Sequence, residues 1–395
     1  MKISIVNGFF LPVPPVRGGA TEKSWFRLAR EFAARGHEVT VISRRWPGCA
    51  DRETVDGIRH IRLPGSDHRR RRWANLLLDF AWSWRVFFAL PPADIVVVNT
   101  VTLPIWLGTL RSGAGKVVIM TGRMPKGQYR HYRQVAQVLA ASTFVRDQVV
   151  AENPRLQSVA TVRGYPIDWR VLAEAELPAP PILAERQKGV LTVGYVGRIH
   201  EEKGLRLLAA ALKLLARVPD LPPWRLLLCG PADTARGGSG AVFRGQLMQE
   251  VSAAMPAGRF NLLDPQFDER TLAAIYRQID LFCYPSLAET GETFGVAVAE
   301  AMAAGAVPVV SGLACFADFV RPGENGLVFD HTAPDAAARL ATALSTLMRD
   351  APLRPRLAGA AREDVQRYDY SRYAEALLAG FAQLTAPAKP ASSPP

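Results

Sequence analysis

Short apolar runs alternate with longer stretches of helical periodicity along almost the whole chain. In the first half, residues 3–6, 38–43, 95–99 and 116–120 have the apolar character of buried strands. Between the first two runs, residues 22–35 carry apolar side chains at helical spacing, and Gly36 follows as a helix C-terminal glycine would. The pattern predicts strands that alternate with helices.

The second half repeats this alternation. We predict strands at residues 191–196, 225–229, 281–284 and 307–311, and helices at residues 205–218, 269–278 and 296–304. Repeated strand–helix–strand units imply a parallel sheet covered on both faces. Two such sets predict an α/β fold with two Rossmann-like domains facing each other across a cleft, the arrangement called GT-B.

The length of 395 residues also favours two domains, because one hydrophobic core rarely serves so long a chain. The candidate boundary lies within residues 162–188, where four prolines interrupt the periodicity. We expect an N-terminal domain over residues 1–169 with a completing helix at 370–386, a C-terminal domain over residues 170–369, and a disordered Pro/Ser/Ala-rich tail at 387–395.

Composition limits the class of protein. The chain is 49% hydrophobic and 21% charged, as soluble globular proteins are. Its four cysteines are scattered, which argues against a zinc site or a disulfide framework and fits a reducing cytoplasm. The sequence shows no signal-peptide pattern and no uncharged apolar run long enough to span a membrane. We expect a cytoplasmic protein, with peripheral attachment to the inner face of the membrane left open.

The net charge of +12 is confined to the first half of the chain. Residues 1–170 contain 26 Lys and Arg against 12 Asp and Glu, whereas residues 171–395 contain 22 against 24. This asymmetry suggests that one domain faces an anionic partner, either a membrane surface, a phosphorylated acceptor or nucleic acid. We expect no nucleic acid partner, because no helix-turn-helix, zinc-finger or RNP-type signature is present.

A glycine-bounded loop at residues 197–204 separates a predicted strand from a predicted helix. A helix N-terminus carries a partial positive charge and unpaired N–H groups. Arg198 and Lys203 add positive charge beside it, which a diphosphate would balance. The alternative is a solvated turn in which Glu201 and Glu202 neutralise the two cations, and the loop alone does not decide between them.

Residues 289–312 give a more specific signal. The predicted helix in this segment is apolar except for Glu300, and a lone carboxylate in such a helix should be buried and hydrogen-bonded. Vicinal ribose hydroxyls would be suitable donors, and an arginine elsewhere in the domain is the alternative partner. Gly291 and Gly295 allow a ligand to approach the backbone, and Glu292 lies in the loop at the helix N-terminus.

Glu292 and Glu300 form an E-x7-E pair within E-T-F-G-V-A-V-A-E-A-M-A-A-G-A-V-P-V-V, which resembles the retaining glycosyltransferases of family 4. These enzymes have the GT-B architecture, and the resemblance spans nearly the whole chain. Its other elements are a glycine loop at residues 18–20, R-G-H-x-V at 35–39, G-R…K-G at 197–204, an interdomain segment at 162–168 with Arg where Asn is usual, and a turn at 321–326.

The resemblance implies roles for residues of the second domain. Arg198 and Lys203 would hold the donor diphosphate, and Glu292 would contact the donor sugar. These three charged residues are the predicted catalytic residues. Gly197, which opens the loop of the two cations, is a predicted substrate-binding residue. Glu300 would bind the nucleotide ribose.

The remaining predicted substrate-binding residues are implied in the same way. They lie beside the sugar (Thr293, Phe294 and Gly295), at the nucleobase (Asp264, Gln266 and Phe267) and in the glycine loop of the opposite domain (Gly18 and Gly19). Phe294 and Gly295 would offer backbone N–H groups. Asp264 stands where a glycine is frequent, so UDP-, GDP- and dTDP-sugars all remain candidate donors.

One departure from the family pattern concerns the reacting sugar. Many members place a histidine after the strand that corresponds to residues 116–120, and this chain has Thr121-Gly122-Arg123 there. Asn99 stands where another family histidine often follows the preceding strand. Arg123 is the predicted substrate-binding residue in this region, with Lys126 and His131 as further candidates.

The resemblance also implies the type of reaction. It implies retention of anomeric configuration without a metal ion, with the leaving phosphate accepting the proton of the acceptor hydroxyl. The sequence contains no Asp-x-Asp metal motif, and we expect neither a metal nor a cofactor, since the nucleotide-sugar is a substrate. A glycan or a lipid-linked saccharide is the expected acceptor, in polysaccharide or glycolipid synthesis.

Residues 69–88 are relevant to where the acceptor is found. Four consecutive arginines precede a Trp-rich apolar stretch, a composition typical of a helix at a membrane interface. A core helix with a solvated arginine cluster explains the same residues.

Other functions remain open at this stage. A two-Rossmann dehydrogenase is disfavoured, because no G-x-G-x-x-G follows the first strand. A GT-B-like sugar-nucleotide epimerase or phosphorylase shares the predicted fold. A non-catalytic partner in a polysaccharide assembly complex would explain the missing histidine.

Overall fold

The computed structural model describes residues 1–17, 19–174, 189–255 and 258–386. It divides the chain into two compact units, one formed by Met1–Pro166 with the chain from Tyr370 onwards, and one by Ile167–Asp369. The first boundary therefore lies at Pro166 rather than at residue 169. The predicted binding residue Gly18 and the predicted tail at 387–395 lie outside the described residues.

The described part of the first unit contains an eight-stranded sheet. Its strands are β1 (Lys2–Val6), β2 (Glu38–Arg44), β3 (Arg52–Val55), β4 (Ile58–Leu63), β5 (Ile95–Val98), β6 (Lys116–Met120), β7 (Gln137–Ala140) and β8 (Ala160–Val162). They are ordered β3-β4-β2-β1-β5-β6-β7-β8, and every pair is parallel except β3 with β4. Strands β1, β2, β5 and β6 confirm the four predicted apolar runs.

The antiparallel hairpin of β3 and β4 was not predicted. Strand β3 is mostly exposed and lacks an apolar run, so the pattern of hydrophobic residues does not indicate a strand at these positions. The turn does carry a local signal, because Asp56 and Gly57 both adopt positive φ angles, as the two central residues of a type I′ hairpin turn do.

Helices α1 (Ala20–Ala34), α2 (Arg72–Ala89), α3 (Leu103–Leu110) and α4 (Thr143–Glu152) belong to the first unit. Helix α1 matches the predicted helix and buries Trp25, Leu28 and Phe32. Gly36 follows it at φ +80°, a conformation that glycine adopts without strain. Helix α2 packs on the sheet through the buried side chains of Trp82 and Val86.

The described part of the second unit contains a six-stranded, wholly parallel sheet. Its strands are β9 (Leu191–Val196), β10 (Trp224–Cys229), β11 (Phe260–Leu263), β12 (Leu281–Tyr284), β13 (Val307–Ser311) and β14 (Leu327–Phe329). The order is β11-β10-β9-β12-β13-β14. Strands β9, β10, β12 and β13 confirm the predictions.

The second unit also contains helices α5 (Trp169–Ala173), α6 (Leu205–Leu215), α7 (Gly240–Ala254), α8 (Glu269–Arg277), α9 (Val296–Ala303), α10 (Ala336–Arg349) and α11 (Leu353–Asp364). Helices α6, α8 and α9 confirm the predicted helices, although α6 ends three residues earlier than expected, at Leu215. Helix α12 (Tyr370–Thr385) returns to the first unit, where the ring of Phe381 lies 6.1 Å from that of Phe32.

The order of the second sheet fixes where a ligand can bind. The chain leaves β9 towards β10 and β11 on one side, and continues through β12, β13 and β14 on the other. Strand β9 is therefore at a topological switch point, where the loops after adjacent strands part and leave a crevice at their carboxyl ends. The loops after β9 and β12 contain the two segments that the sequence identifies as candidate binding loops, residues 197–204 and the segment that begins at residue 289.

Candidate functional site

The loop after β9 packs directly on the loop after β12. Residues Glu201–Lys203 form one turn of 3-10 helix, and Gly204 follows as the N-cap of α6 at φ +65°. A β-carbon at Gly204 would clash with the carbonyl oxygen of Pro285. Glycine is required there both by its backbone conformation and by this close approach, which brings the two loops into contact.

Lys203 and Glu292 form the buried centre of the site. The Lys203 Nζ lies 2.6 Å from Glu292 Oε2, and their side chains are 6% and 11% exposed. The same carboxylate oxygen accepts hydrogen bonds from the hydroxyls of Tyr284 and Ser286, both at 3.2 Å. A buried carboxylate requires such partners, and three donors from two segments of the chain supply them here.

Two stacked tyrosines line this centre. The rings of Tyr195 and Tyr284 lie 5.6 Å apart and nearly parallel, and the Lys203 ammonium lies 5.6 Å from the Tyr284 ring centroid. Burial, and secondarily the neighbouring Glu292 carboxylate, raises the pKa of both phenols well above the ordinary value. Both phenols therefore stay protonated, and Tyr284 remains a donor to Glu292.

Arg198 lies at the more exposed edge of the site. Its Nη1 donates to the carbonyl of Gly237 at 2.8 Å, and its Nη2 donates to Glu202 at 2.6 Å. The solvated-turn interpretation therefore describes Arg198, which Glu202 neutralises. It describes Lys203 only in part, because Lys203 is buried and lies 2.6 Å from Glu292, whereas Glu202 is 3.8 Å away.

Glu300 differs in part from the expectation. It is half-buried rather than buried, and its Oε2 accepts a hydrogen bond from the Tyr276 hydroxyl at 2.8 Å. Tyr276 is fully buried beneath it, and burial followed by the Glu300 charge raises the pKa of this phenol well above its usual range. The partner identified is thus a tyrosine, and part of the Glu300 side chain faces solvent.

Aromatic side chains pack against the turn that leads into α9. The Phe294 ring is buried 4.7 Å from Phe319 and 5.0 Å from Tyr368, so only its backbone can serve a ligand. Gly295 adopts φ +89°, and a β-carbon there would lie 2.5 Å from the Phe316 ring. The first N–H groups of α9, which have no partner within the helix, follow this turn.

The predicted nucleobase region follows β11. Asp264 is exposed, and its carbonyl oxygen accepts a hydrogen bond from Gln266 Nε2 at 3.1 Å. Phe267 is an exposed aromatic ring, with the Arg236 guanidinium 5.3 Å from its centroid. Sequence reasoning missed Arg236, which directly precedes the Gly237 that contacts Arg198.

The first unit holds the remaining predicted residues. Gly19 adopts φ +100° at the start of α1, and Arg123 is exposed in the loop after β6. Lys126 and His131 are exposed as well. Sequence reasoning missed Glu22, a buried carboxylate in the first turn of α1.

The structure thus brings Arg198, Lys203, Glu292 and the turn at Gly295 together at the carboxyl ends of β9 and β12. Over the described residues, no three His, Cys, Asp or Glu side chains meet in an arrangement that could hold a metal ion. Across the same ranges, no helix combines the length and the apolar character that a membrane crossing requires.

Two family models match the chain. The model for glycosyl transferases group 1 matches residues 190–350, and the model for glycosyltransferase family 4 matches residues 18–157. The phosphatidyl-myo-inositol mannosyltransferase of Mycolicibacterium smegmatis is 35% identical over 387 residues, which cover 94% of this chain and 91% of that protein.

Solved structures agree in fold. The sucrose-phosphate synthase of Thermosynechococcus elongatus superposes with a TM-score of 0.71 at 22% identity, covering 97% of this chain and 98% of that one. The Escherichia coli trehalose-6-phosphate structure bound with UDP-2-fluoro glucose superposes with a TM-score of 0.74 at 14% identity, covering 97% and 99%.

Proposed function

Since the chain belongs to the family 4 glycosyltransferases, enzymes built of two Rossmann-like domains, we propose that it transfers a sugar from a nucleoside diphosphate sugar to a hydroxyl acceptor with retention of anomeric configuration. The donor diphosphate binds Arg198 and Lys203, the donor sugar lies beside Glu292, and the ribose hydroxyls reach the solvent-facing part of Glu300.

The contact between Lys203 and Glu292 is the observation that carries this proposal. A cation beside a carboxylate supports it, because an ammonium group suits a phosphate oxygen and a carboxylate suits sugar hydroxyls, and the bond between sugar and phosphate needs both nearby. An ammonium group carries three N–H donors, so Lys203 can keep its bond to Glu292 and still bind a phosphate oxygen. The first N–H groups of α9 add donors at the same end of the sheet.

In the proposed reaction, the bond between the anomeric carbon and the phosphate oxygen breaks, and its electron pair stays on the phosphate. The acceptor oxygen bonds to the same face of the anomeric carbon, and its proton passes to the leaving phosphate. No protein base and no metal ion takes part in this scheme. Lys203 and Arg198 stabilise the negative charge that develops on the leaving group, and fixed donors of this kind lower the barrier because they need no reorganisation.

We propose UDP-, GDP- or dTDP-sugars as donors. A structural neighbour holds UDP-2-fluoro glucose, and a relative is a mannosyltransferase. Phe267, with Arg236 on its ring, offers an exposed aromatic surface for a base, which stacking alone would not restrict to one nucleotide.

The proposed acceptor is a lipid-linked or phosphate-bearing saccharide at an anionic membrane surface. Helix α2 supports this proposal, because it has an exposed apolar stripe beside its buried face, formed by Trp73, Leu76, Leu77, Phe80 and Phe88. Four exposed arginines, residues 69–72, precede the stripe. Apolar side chains next to a cationic cluster match an anionic bilayer surface, and the relative named above acts on phosphatidyl-myo-inositol.

Donor binding is tested by thermal unfolding in the presence of UDP-, GDP- and dTDP-sugars, since a ligand that binds the native state raises the apparent stability of the protein. We expect one nucleotide class to stabilise the protein, and the nucleoside diphosphate to be released only when an acceptor is added. Conversion of the donor sugar without an acceptor would support an epimerase instead. Donor binding without transfer to any extracted lipid or glycan would support a non-catalytic role.

A further inference from the structure

Glu202 is a carboxylate at the site that the proposed reaction does not use. One of its oxygens, Oε1, lies 2.6 Å from Arg198 Nη2 and 3.8 Å from Lys203 Nζ. The two cations proposed to hold the donor diphosphate therefore flank one carboxylate oxygen of the protein itself. Because like charges repel, this carboxylate should lower the affinity for a phosphate group unless it serves another purpose.

Stability gives little reason for this carboxylate. Arg198 and Glu202 are four residues apart, and their side chains are 42% and 34% exposed. Ion pairs with this exposure contribute little to the free energy of unfolding, because water and salt screen the charges. Lys203 already has a closer carboxylate partner in Glu292, at 2.6 Å. The most direct effect of Glu202 is therefore on the Arg198 guanidinium.

Arg198 is held at both terminal nitrogens of its guanidinium. Nη1 donates to the Gly237 carbonyl at 2.8 Å, and Nη2 donates to Glu202. Gly237 adopts φ +81°, and a β-carbon there would lie 3.2 Å from both Cδ and Nη1 of Arg198, so this backbone passes close beside the side chain. A guanidinium has five N–H donors. The two contacts fix the plane of the group and leave the other N–H groups for a ligand.

Both acceptors are themselves fixed. The Glu202 carbonyl accepts a hydrogen bond from the Leu287 N–H at 2.8 Å, which ties its backbone to the loop after β12. Ser239 ties the loop after β10, which carries the other acceptor, to the loop after β9. Its N–H donates to the Ile199 carbonyl and its hydroxyl accepts from the Glu201 N–H, both at 3.1 Å. The guanidinium is therefore held where the loops after β9, β10 and β12 meet.

We propose that Glu202 is a positioning residue, which holds the Arg198 guanidinium in the orientation that binds a phosphate oxygen of the nucleoside diphosphate. The inference rests on the proposed function for what Arg198 binds, and on the hydrogen bonds above for how Arg198 is held. A partly exposed arginine has many rotamers, and a ligand must immobilise the side chain unless the protein already does so. A guanidinium binds phosphate through paired N–H donors in a fixed plane, so its orientation matters more than that of an ammonium group.

The first experiment uses two effects of opposite sign. Isothermal titration calorimetry measures the binding of inorganic pyrophosphate and of UDP, GDP and dTDP to the wild type and to Glu202→Ala. Removing a negative charge beside an anion site would by itself tighten binding. Loss of the acceptor that holds Arg198 should instead weaken binding about 2- to 10-fold, the range expected when the ligand has to immobilise one long side chain. Equal or tighter binding by Glu202→Ala would overturn the proposal.

Glu202→Gln separates the hydrogen bond from the charge. Glutamine keeps an oxygen within reach of Arg198 Nη2 but carries no charge, so this variant should bind the same ligands more tightly than Glu202→Ala does. If only the charge mattered, the two variants would bind equally, and that result would contradict a positioning role. Both variants should unfold at temperatures close to that of the wild type, because the ion pair that they remove is exposed.

Glu201→Gln is the matched control. Glu201 precedes Glu202 in the same turn and is exposed, and its backbone N–H makes the contact with Ser239. The variant removes the same charge one position away, where solvent screens it, and should change the affinity by less than about twofold. A loss of affinity as large as that of Glu202→Ala would mean that the contact with Arg198 is not the cause.

Arg198→Ala distinguishes a failure of this inference from a failure of the proposed function. It should weaken binding at least as much as Glu202→Ala, and adding Glu202→Ala to it should weaken binding no further. If Arg198→Ala binds pyrophosphate and the nucleoside diphosphates as the wild type does, the proposed phosphate role of Arg198 fails together with this inference. If Arg198→Ala binds them more weakly and Glu202→Ala does not, this inference alone fails.

Discussion

Lys203 Nζ and Glu292 Oε2 lie 2.6 Å apart although the two residues are 89 positions apart in the chain. Both side chains are almost completely removed from solvent. The pair joins the loop after β9 to the loop after β12. The same two side chains therefore contribute to stability and belong to the proposed binding site. Stability and activity should consequently respond differently when one or both charges are removed.

Lys203→Met leaves the Glu292 carboxylate buried without its cation, and Glu292→Gln leaves the buried ammonium with only the more distant Glu202 carboxylate, at 3.8 Å. Each single variant should lose about 3–5 kcal/mol of the free energy of unfolding, the usual result of breaking a buried pair. The double variant should lose much less than the sum of the two, because no uncompensated charge remains. Urea denaturation of the four proteins measures this coupling.

The double variant should not recover activity in the way that it recovers stability. All three variants should transfer sugar about 100- to 1000-fold more slowly than the wild type, the typical effect of losing one fixed donor to a developing charge. Arg339→Met and Asp335→Asn provide the matched control, since their pair on α10 is exposed and its coupling should be below about 1 kcal/mol. A double variant that regains both stability and transfer would remove these residues from the site.

Gly204→Ala tests the close approach between the two loops. The substitution forces a β-carbon into a left-handed conformation and against the Pro285 carbonyl, so it should lower the free energy of unfolding by more than about 1 kcal/mol and reduce transfer. Gly359→Ala is the control, because Gly359 lies inside α11 with no atom within 4 Å of an added β-carbon. It should raise stability by about 0.5–1 kcal/mol. Equal effects of the two substitutions, measured by urea denaturation, would contradict the geometry.

The sequence predicts the strands and helices around the site, because buried parallel strands and amphipathic helices have strong periodicity. It also identifies Arg198, Lys203, Glu292 and Glu300 as the charged residues to consider. It does not predict that Lys203 pairs with Glu292 while Arg198 pairs with Glu202, because each contact depends on the side-chain directions of packed loops.

Glu22 was missed for a different reason. A glutamate in the first turn of a helix is common on protein surfaces, where it interacts favourably with the helix dipole. Only the structure shows that this one is covered. Tyr276 was missed in the same way, since a tyrosine at helical spacing indicates core packing and does not reveal that its hydroxyl reaches Glu300.

Asp79 predicts a dependence of stability on pH. This buried carboxylate of α2 accepts hydrogen bonds from the backbone N–H and the hydroxyl of Thr102, at 2.8 and 2.7 Å. Burial is the stronger influence and raises the pKa of the Asp79 carboxyl above its ordinary value. A raised pKa in the folded state means that the contribution to stability is present in full below the unfolded-state pKa and is lost as the pH rises through the folded-state pKa.

Asp79→Asn removes the charge and keeps an oxygen for Thr102. The stability of this variant relative to the wild type should therefore increase from about pH 4 towards neutral pH. Urea denaturation at several pH values measures the difference. A relative stability that falls with rising pH would show that the hydrogen bonds outweigh burial and that the pKa is lowered instead.

The exposed stripe of α2 predicts binding to anionic membranes. Sedimentation with vesicles of phosphatidylglycerol and phosphatidylcholine should show binding that weakens as salt increases, because charges near a surface are screened. Leu77→Ser should weaken binding by about tenfold, since a buried leucine contributes about 1.5–3 kcal/mol. Arg70→Gln should weaken it by about fivefold at low salt and much less at high salt, as expected for about 1 kcal/mol per surface arginine.

Val242→Ser is the matched control for the apolar contribution, because Val242 is 76% exposed on α7 of the second unit, whereas Leu77 is 60% exposed on α2. It should leave vesicle binding unchanged. The different dependence of Leu77→Ser and Arg70→Gln on salt is the decisive feature: the deficit of Leu77→Ser should persist at high salt, and that of Arg70→Gln should disappear. Vesicle binding that Leu77→Ser and Val242→Ser affect equally would mean that the stripe contacts another protein instead of lipid.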